Sequence, residues 1–166
     1  TAASHTNGDD VNTGITFSFL NAAFSATPAS SITNFAKNDF TIDFGDALIA
    51  YTGTGFTENI SNNGGVTGSI IATLTGDVFD TTIIDGTTFT AGTHYTLTGV
   101  PAGLTAVLTK TSSTVATLTL TGNASSHLDA NDVADIVFTW QDAAFENILA
   151  TTVAGGVAAS SGRGID

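Results

Sequence analysis

The chain has no cysteine and no methionine, and it carries only 3 Lys and Arg against 15 Asp and Glu in 166 residues. Without cysteine there are no disulfides, thiolate metal sites or cysteine nucleophiles. The net charge of −12 argues against nucleic acid and anionic membrane surfaces as partners, because phosphate binding draws on Lys and Arg. Long apolar runs are missing too. No stretch approaches the roughly 18 residues that span a bilayer, so no membrane insertion is expected. Catalytic signatures are equally scarce. There is no Gly-x-Ser-x-Gly elbow, and Gly53-Thr54-Gly55 lacks the third glycine and the following helix of a dinucleotide loop. The expectation is a chain that is not an enzyme.

Threonine, by contrast, is abundant: 31 residues, many alternating with Val, Ile, Leu or Ala. Thr is β-branched, stiff at χ1 and at home on a pleated, half-wet surface. A hydrophobic content of 42% is enough to bury a core. Leu104–Lys110 and Thr114–Thr121 both alternate with period two around the polar Thr111-Ser112-Ser113, which predicts a β-hairpin. Further strands are predicted at Ile15–Leu20, Phe40–Phe44, Leu48–Tyr51, Val66–Thr75, His94–Val100 and Ile136–Trp140. Helical signals are confined to a turn or two at Ser30–Lys37, Ser125–Ala130 and Asp142–Ala150. Seven or eight short strands separated by turn residues predict an all-β, two-sheet sandwich of immunoglobulin-like, Greek-key type with few or no helices.

The two ends of the sequence resemble each other. Ser4-His5-Thr6-Asn7-Gly8-Asp9-Asp10-Val11 aligns with Ser126-His127-Leu128-Asp129-Ala130-Asn131-Asp132-Val133. After a one-residue slip, Phe17-Ser18-Phe19-Leu20-Asn21-Ala22-Ala23-Phe24 aligns with Phe138-Thr139-Trp140-Gln141-Asp142-Ala143-Ala144-Phe145. Residues 44–122 occur once. The expected organisation is therefore a partial repeat over 1–43, acting as a strand-pairing or donor segment, and a complete sandwich module over 44–166. A pair of strands is marginal on its own in water, so the partial repeat needs strands from elsewhere.

Calcium is the candidate ligand. Asp129, Asn131 and Asp132 gather hard oxygen donors in one loop, Asn7, Asp9 and Asp10 repeat the pattern, and Glu58 lies near a strand end. The competing reading, that these side chains cap turns through backbone hydrogen bonds, stays open beside it. His5, His94 and His127 show no ligand spacing and read as loop histidines. Trp140, Tyr51 and Tyr95 are candidates for a sugar-binding platform, although Trp140 sits in an apolar strand whose partner copy has Phe19, which favours a core role.

The run Thr54-Gly55-Phe56-Thr57-Glu58-Asn59, Gly99-Val100-Pro101-Ala102-Gly103-Leu104, Leu118-Thr119-Leu120-Thr121-Gly122-Asn123-Ala124 and Ala143-Ala144-Phe145 resembles the tandem immunoglobulin-like repeats of large secreted bacterial surface proteins. The resemblance implies an extracellular, cell-surface module that is structural or adhesive, has copies of itself as partners, and in some relatives binds calcium. The alternative it leaves is a carbohydrate-binding sandwich module with a glycan as ligand.

Overall fold

The computed structural model describes residues 11–42, 45–53, 55–159 and 164–165. Two compact units divide the chain, His5–Gly45 and a larger one built on Asp46–Asp166. Each is described by itself.

In the larger unit, seven principal strands form two antiparallel sheets. One has β3 (Leu48–Thr52), β6 (Ile70–Thr75), β9 (Val115–Gly122) and β8 (Leu104–Ser112) in the order β3-β6-β9-β8. The other has β7 (Tyr95–Thr98), β10 (Val137–Trp140) and β11 (Val157–Ala159) in the order β11-β10-β7. A short ribbon, β4 (Thr57–Glu58) with β5 (Val66–Thr67), stands at one end. Alternation explains the layering. Ile70, Ala72 and Leu74 point inward from β6, and Ala116, Leu118 and Leu120 from β9. They meet Tyr95, Phe138 and Trp140 of the other sheet in a single apolar cluster. The protein is an all-β sandwich, and the described residues contain no α-helix.

Several predicted elements change on inspection. The hairpin is present, with strands lengthened to Leu104–Ser112 and Val115–Gly122. The strand predicted over Val66–Thr75 is interrupted at Gly68, whose φ is +122° and where a Cβ would come 2.7 Å from the Gly55 carbonyl oxygen. The helical signal at Asp142–Ala150 resolves into two separate 3-10 turns, Asp142–Ala144 and Ala150–Thr152. That at Ser125–Ala130 is a 3-10 turn at Asp129–Asn131. The Ser30–Lys37 signal is a single 3-10 turn at Ala29–Ser31, after which Asn34 takes φ +62° and turns the chain into β2 (Ala36–Ile42), so Lys37 is extended.

The long connection between β6 and β7 has no period of its own, yet it supplies the centre of the core. Phe79 and Phe89 are buried, with Phe79 stacked on Trp140 at a centroid distance of 4.9 Å. Lys110 fastens this connection. It continues the inward parity of Leu104, Ala106 and Leu108, and only 3% of it is exposed. Its ammonium donates to the carbonyls of Asp80 (2.9 Å) and Ile83 (2.8 Å), and the Asp85 carboxylate lies 3.6 Å away. A buried lysine requires such partners, because an unpaired charge in a core is costly.

The smaller unit is a hairpin of β1 (Val11–Ser18) and β2, connected through 3-10 turns at Asn21–Ala23 and Ala29–Ser31.

Candidate functional site

Three of the seven predicted calcium ligands come together at the end of the sandwich that carries the β4–β5 ribbon. Glu58, Asn131 and Asp132 line a cavity of about 30 Å³ with His127 and Ser126, while Asp129 is not among its lining residues. Asn7, Asp9 and Asp10 lie outside the described residues. The oxygens in this loop already serve the backbone. Glu58 Oε1 accepts the Gly64 N–H at 2.6 Å, and Asn131 Oδ1 accepts the Leu128 N–H at 3.1 Å. His127 Nδ1 approaches Glu58 Oε1 to 3.0 Å without hydrogen-bond alignment, which leaves that buried ring nitrogen without a hydrogen bond. Among the described residues, no three His, Asp or Glu side chains converge as metal ligands.

Other carboxylates also tie loops. Asp77 accepts the backbone N–H (3.2 Å) and Nδ2 (2.8 Å) of Asn147. Asp80 accepts the N–H and the hydroxyl of Thr82, both at 2.8 Å. The Thr82 backbone N–H holds the Asp80 carboxyl below its usual range.

The aromatics of the proposed sugar platform belong mostly to the interior. Trp140 and Tyr95 are buried, and Phe138 stacks on Tyr95 at 5.1 Å. Trp140 Nε1 donates to Tyr51 Oη at 3.0 Å, and the Tyr51 hydroxyl donates to the Gly155 carbonyl at 3.2 Å. Burial pushes the Tyr95 phenol above its ordinary pKa. An open groove of about 460 Å³ runs between β7 and β8, and Tyr95 lines it together with Leu97, Val100, Leu104 and Ala106. Both strands stand at the edges of their sheets.

The feature with most structural detail is a hairpin that occurs twice. Phe17 pairs with Lys37 and Ser18 with Ala36; 121 positions later, Phe138 pairs with Ala158 and Thr139 with Val157. The Phe19 N–H donates to the Phe35 carbonyl (3.0 Å), as the Trp140 N–H does to Gly156 (3.1 Å). The turn between the strands is clipped identically. Asn21 Oδ1 accepts the Ala29 N–H at 2.8 Å, and Asp142 Oδ1 accepts the Ala150 N–H at 2.8 Å. Asn34 and Gly155 both have positive φ, +62° and +78°. At the far end Val11 faces Ile42, as Val133 faces Ile165. The side-chain clip links residues eight apart, a spacing that belongs to no helix or strand period. Alignment of Asn21 with Asp142 was its one visible trace.

No protein family matches the chain. No curated protein sequence matches it. Among solved structures, chitinase ChiW from Paenibacillus sp. str. FPU-7, described as a bacterial cell-surface-expressed multi-modular enzyme machinery, is similar over 72% of this chain at 14% identity, with a TM-score of 0.47. The chain spans 13% of the length of that protein.

Proposed function

We propose that the chain is an extracellular structural or adhesive building block that joins with its own kind head to tail, in a tandem array or a filament, through strand edges and end loops. The duplicated hairpin carries this reading: one polypeptide holds the same closing element twice, with the same strand register and the same side-chain clip. The strand order supports an immunoglobulin-like module. Four strands in the order first, second, fifth, fourth, opposite three in the order third, sixth, seventh, are the arrangement of constant-type immunoglobulin sandwiches. The 86–89 segment already pairs with β8 along 108–110 and Gly92 donates to Tyr95, which leaves the β7 edge beyond Tyr95 and the β8 edge before Leu108 to offer backbone donors and acceptors for joining. A surface solvated by hydroxyls and amides rather than ions suits a secreted or cell-surface protein. The proposal gives the chain no reaction of its own.

A carbohydrate-binding module is the competing function. It calls for an exposed aromatic platform, and burial of Trp140 and Tyr95 favours the building block instead. Sedimentation velocity and electron microscopy of the purified chain decide between them. End-to-end oligomers or strings are expected. A chain that stays monomeric at high concentration and captures a specific glycan overturns the proposal. Calcium, if it rigidifies the end loops through Glu58, Asn131 and Asp132, raises the calorimetric melting temperature, and a chelator reverses the rise. Identical melting in both conditions removes calcium from the proposal.

A further inference from the structure

The two copies of the hairpin differ in how far their inner faces are covered. In the larger unit its inner face is covered: Phe138 is 6% and Trp140 1% exposed, and Phe145, Ala150 and Val153 are buried with them. The cover consists of residues from 46–122. Phe79 and Phe89 lie against Trp140, Tyr95 against Phe138, and Tyr51 receives the indole N–H. In the smaller unit the equivalents of Phe138, Trp140 and Val153 are Phe17, 50% exposed, Phe19, 46% exposed, and Ile32, 36% exposed, while Phe24 is half-buried and Ala29 buried. Phe17 and Phe19 meet edge to face at 4.9 Å, and Phe19 and Phe24 at 5.6 Å. Large aromatic side chains left at half exposure on one face of a strand mark a surface made to be covered.

We propose that the face formed by Phe17, Phe19, Phe24 and Ile32 is a module-completing surface, and that its occupant is a sandwich body of the build that residues 46–122 form, one without a closing hairpin of its own. This surface and its occupant presuppose the modular build proposed above. The ladder pairs shared at Phe17–Ser18 and Phe138–Thr139, with the shared clip, mean that around Phe17, Phe19 and Phe24 the smaller unit presents its side chains as the larger unit presents Phe138, Trp140 and Phe145 to its own body. A second copy of this chain is the poorer occupant, because its body is already closed by residues 137–153. Chemistry at one position also defines the partner. Phe19 stands where the covered copy has Trp140, so the occupant needs no acceptor equivalent to the Tyr51 hydroxyl and has a fuller floor beneath that ring.

The test extends the full chain by a second copy of residues 44–122 fused ahead of Thr1, in the body-then-hairpin order of the covered copy. Hydrogen exchange is followed at 15–18 and 36–40, together with binding of an apolar-surface dye. In the unextended chain these amides exchange fast and the dye binds. In the fusion, exchange there slows by at least about tenfold, because the hairpin now opens only with a packed module, and dye binding falls. Phe19→Asp in the fusion abolishes both effects while residues 46–166 keep their own protection. Phe19→Trp, which restores the side chain the added body is shaped for, strengthens them. Unchanged exchange in both the fusion and its Phe19→Trp form overturns the proposal. Protection of the same amides in the unextended chain that disappears on dilution also overturns it, by assigning the face to a second copy. A protected fusion that never assembles end to end leaves this inference standing and removes only the filament role.

Discussion

Replacing Lys110 with methionine separates what the buried ammonium does from what its carbon stem does. Methionine preserves most of the stem's packing but leaves the Ile83 carbonyl, now bonded at 2.8 Å, without a donor, while the Asp80 carbonyl, bonded at 2.9 Å, keeps the Ile83 N–H at 3.2 Å. One unpaired buried acceptor costs about 1–3 kcal/mol, and relief of the desolvated charge offsets part of it. The expected net loss is about 1–2 kcal/mol. Lys110→Ala adds the loss of buried methylenes, at about 0.8 kcal/mol each, and is expected to be worse by about 2 kcal/mol. Asp85→Asn is the contrasting control. Its carboxylate stands 3.6 Å from the ammonium with 57% of the side chain exposed, so the change is expected to stay within about 0.5 kcal/mol. Urea unfolding reads these differences directly: at a slope of about 2 kcal/mol per molar, Lys110→Met lowers the midpoint by about 0.5–1 M. The connection at 80–89 also loses hydrogen-exchange protection first. A midpoint within experimental error of the parent for Lys110→Met, with Lys110→Ala affected only through packing, refutes the claim that the two carbonyl bonds hold this segment.

Gly68→Ala forces a side chain to φ +122° and against the Gly55 carbonyl; a loss of about 2–4 kcal/mol in chemical denaturation is expected, and a neutral result removes the strand-break argument. Trp140→Phe, which copies the front hairpin, deletes the donor to Tyr51 and part of the central aromatic volume, for an expected loss of about 1–3 kcal/mol, read in the same assay. Tyr95 tests burial through pH. Its folded pKa is raised, so its contribution is fully present below the unfolded phenol's pKa of about 10 and is lost as pH rises through the folded value. Melting temperature is expected to fall above about pH 10 in the parent, and Tyr95→Phe flattens that fall; equal slopes in both proteins contradict it.

Period-two alternation made the hairpin strands legible as Leu104–Lys110 and Thr114–Thr121, whereas the burial of Lys110 on the inner face was not read from it. The connection from 77 to 94 was not legible, because Phe79, Ile83 and Phe89 are held by tertiary packing and by Lys110 rather than by any local repeat. The 66–75 segment carries strand-forming residues throughout, yet the approach of the Gly55 backbone at Gly68 decides its geometry. At 142–150 the helical signal was a composition effect, whereas the Asp142 carboxylate reaching the Ala150 N–H sets two tight turns. Of the end-loop cluster, the oxygen-rich composition and a turn-capping role were both legible, and the particular backbone donors, Gly64 and Leu128, were not.

The stack of Trp140 on Phe79 has a consequence for biogenesis. A ribosome delivers the aromatic floor well before the hairpin that seals it, so every nascent copy passes through a stage with Phe79 and Phe89 uncovered. Non-local closure of this kind slows folding and exposes the chain to capture by the wrong neighbour. Residues 11–42 leave the ribosome before this floor does, so a hairpin with the same side-chain clip is already at hand while Phe79 and Phe89 await their own.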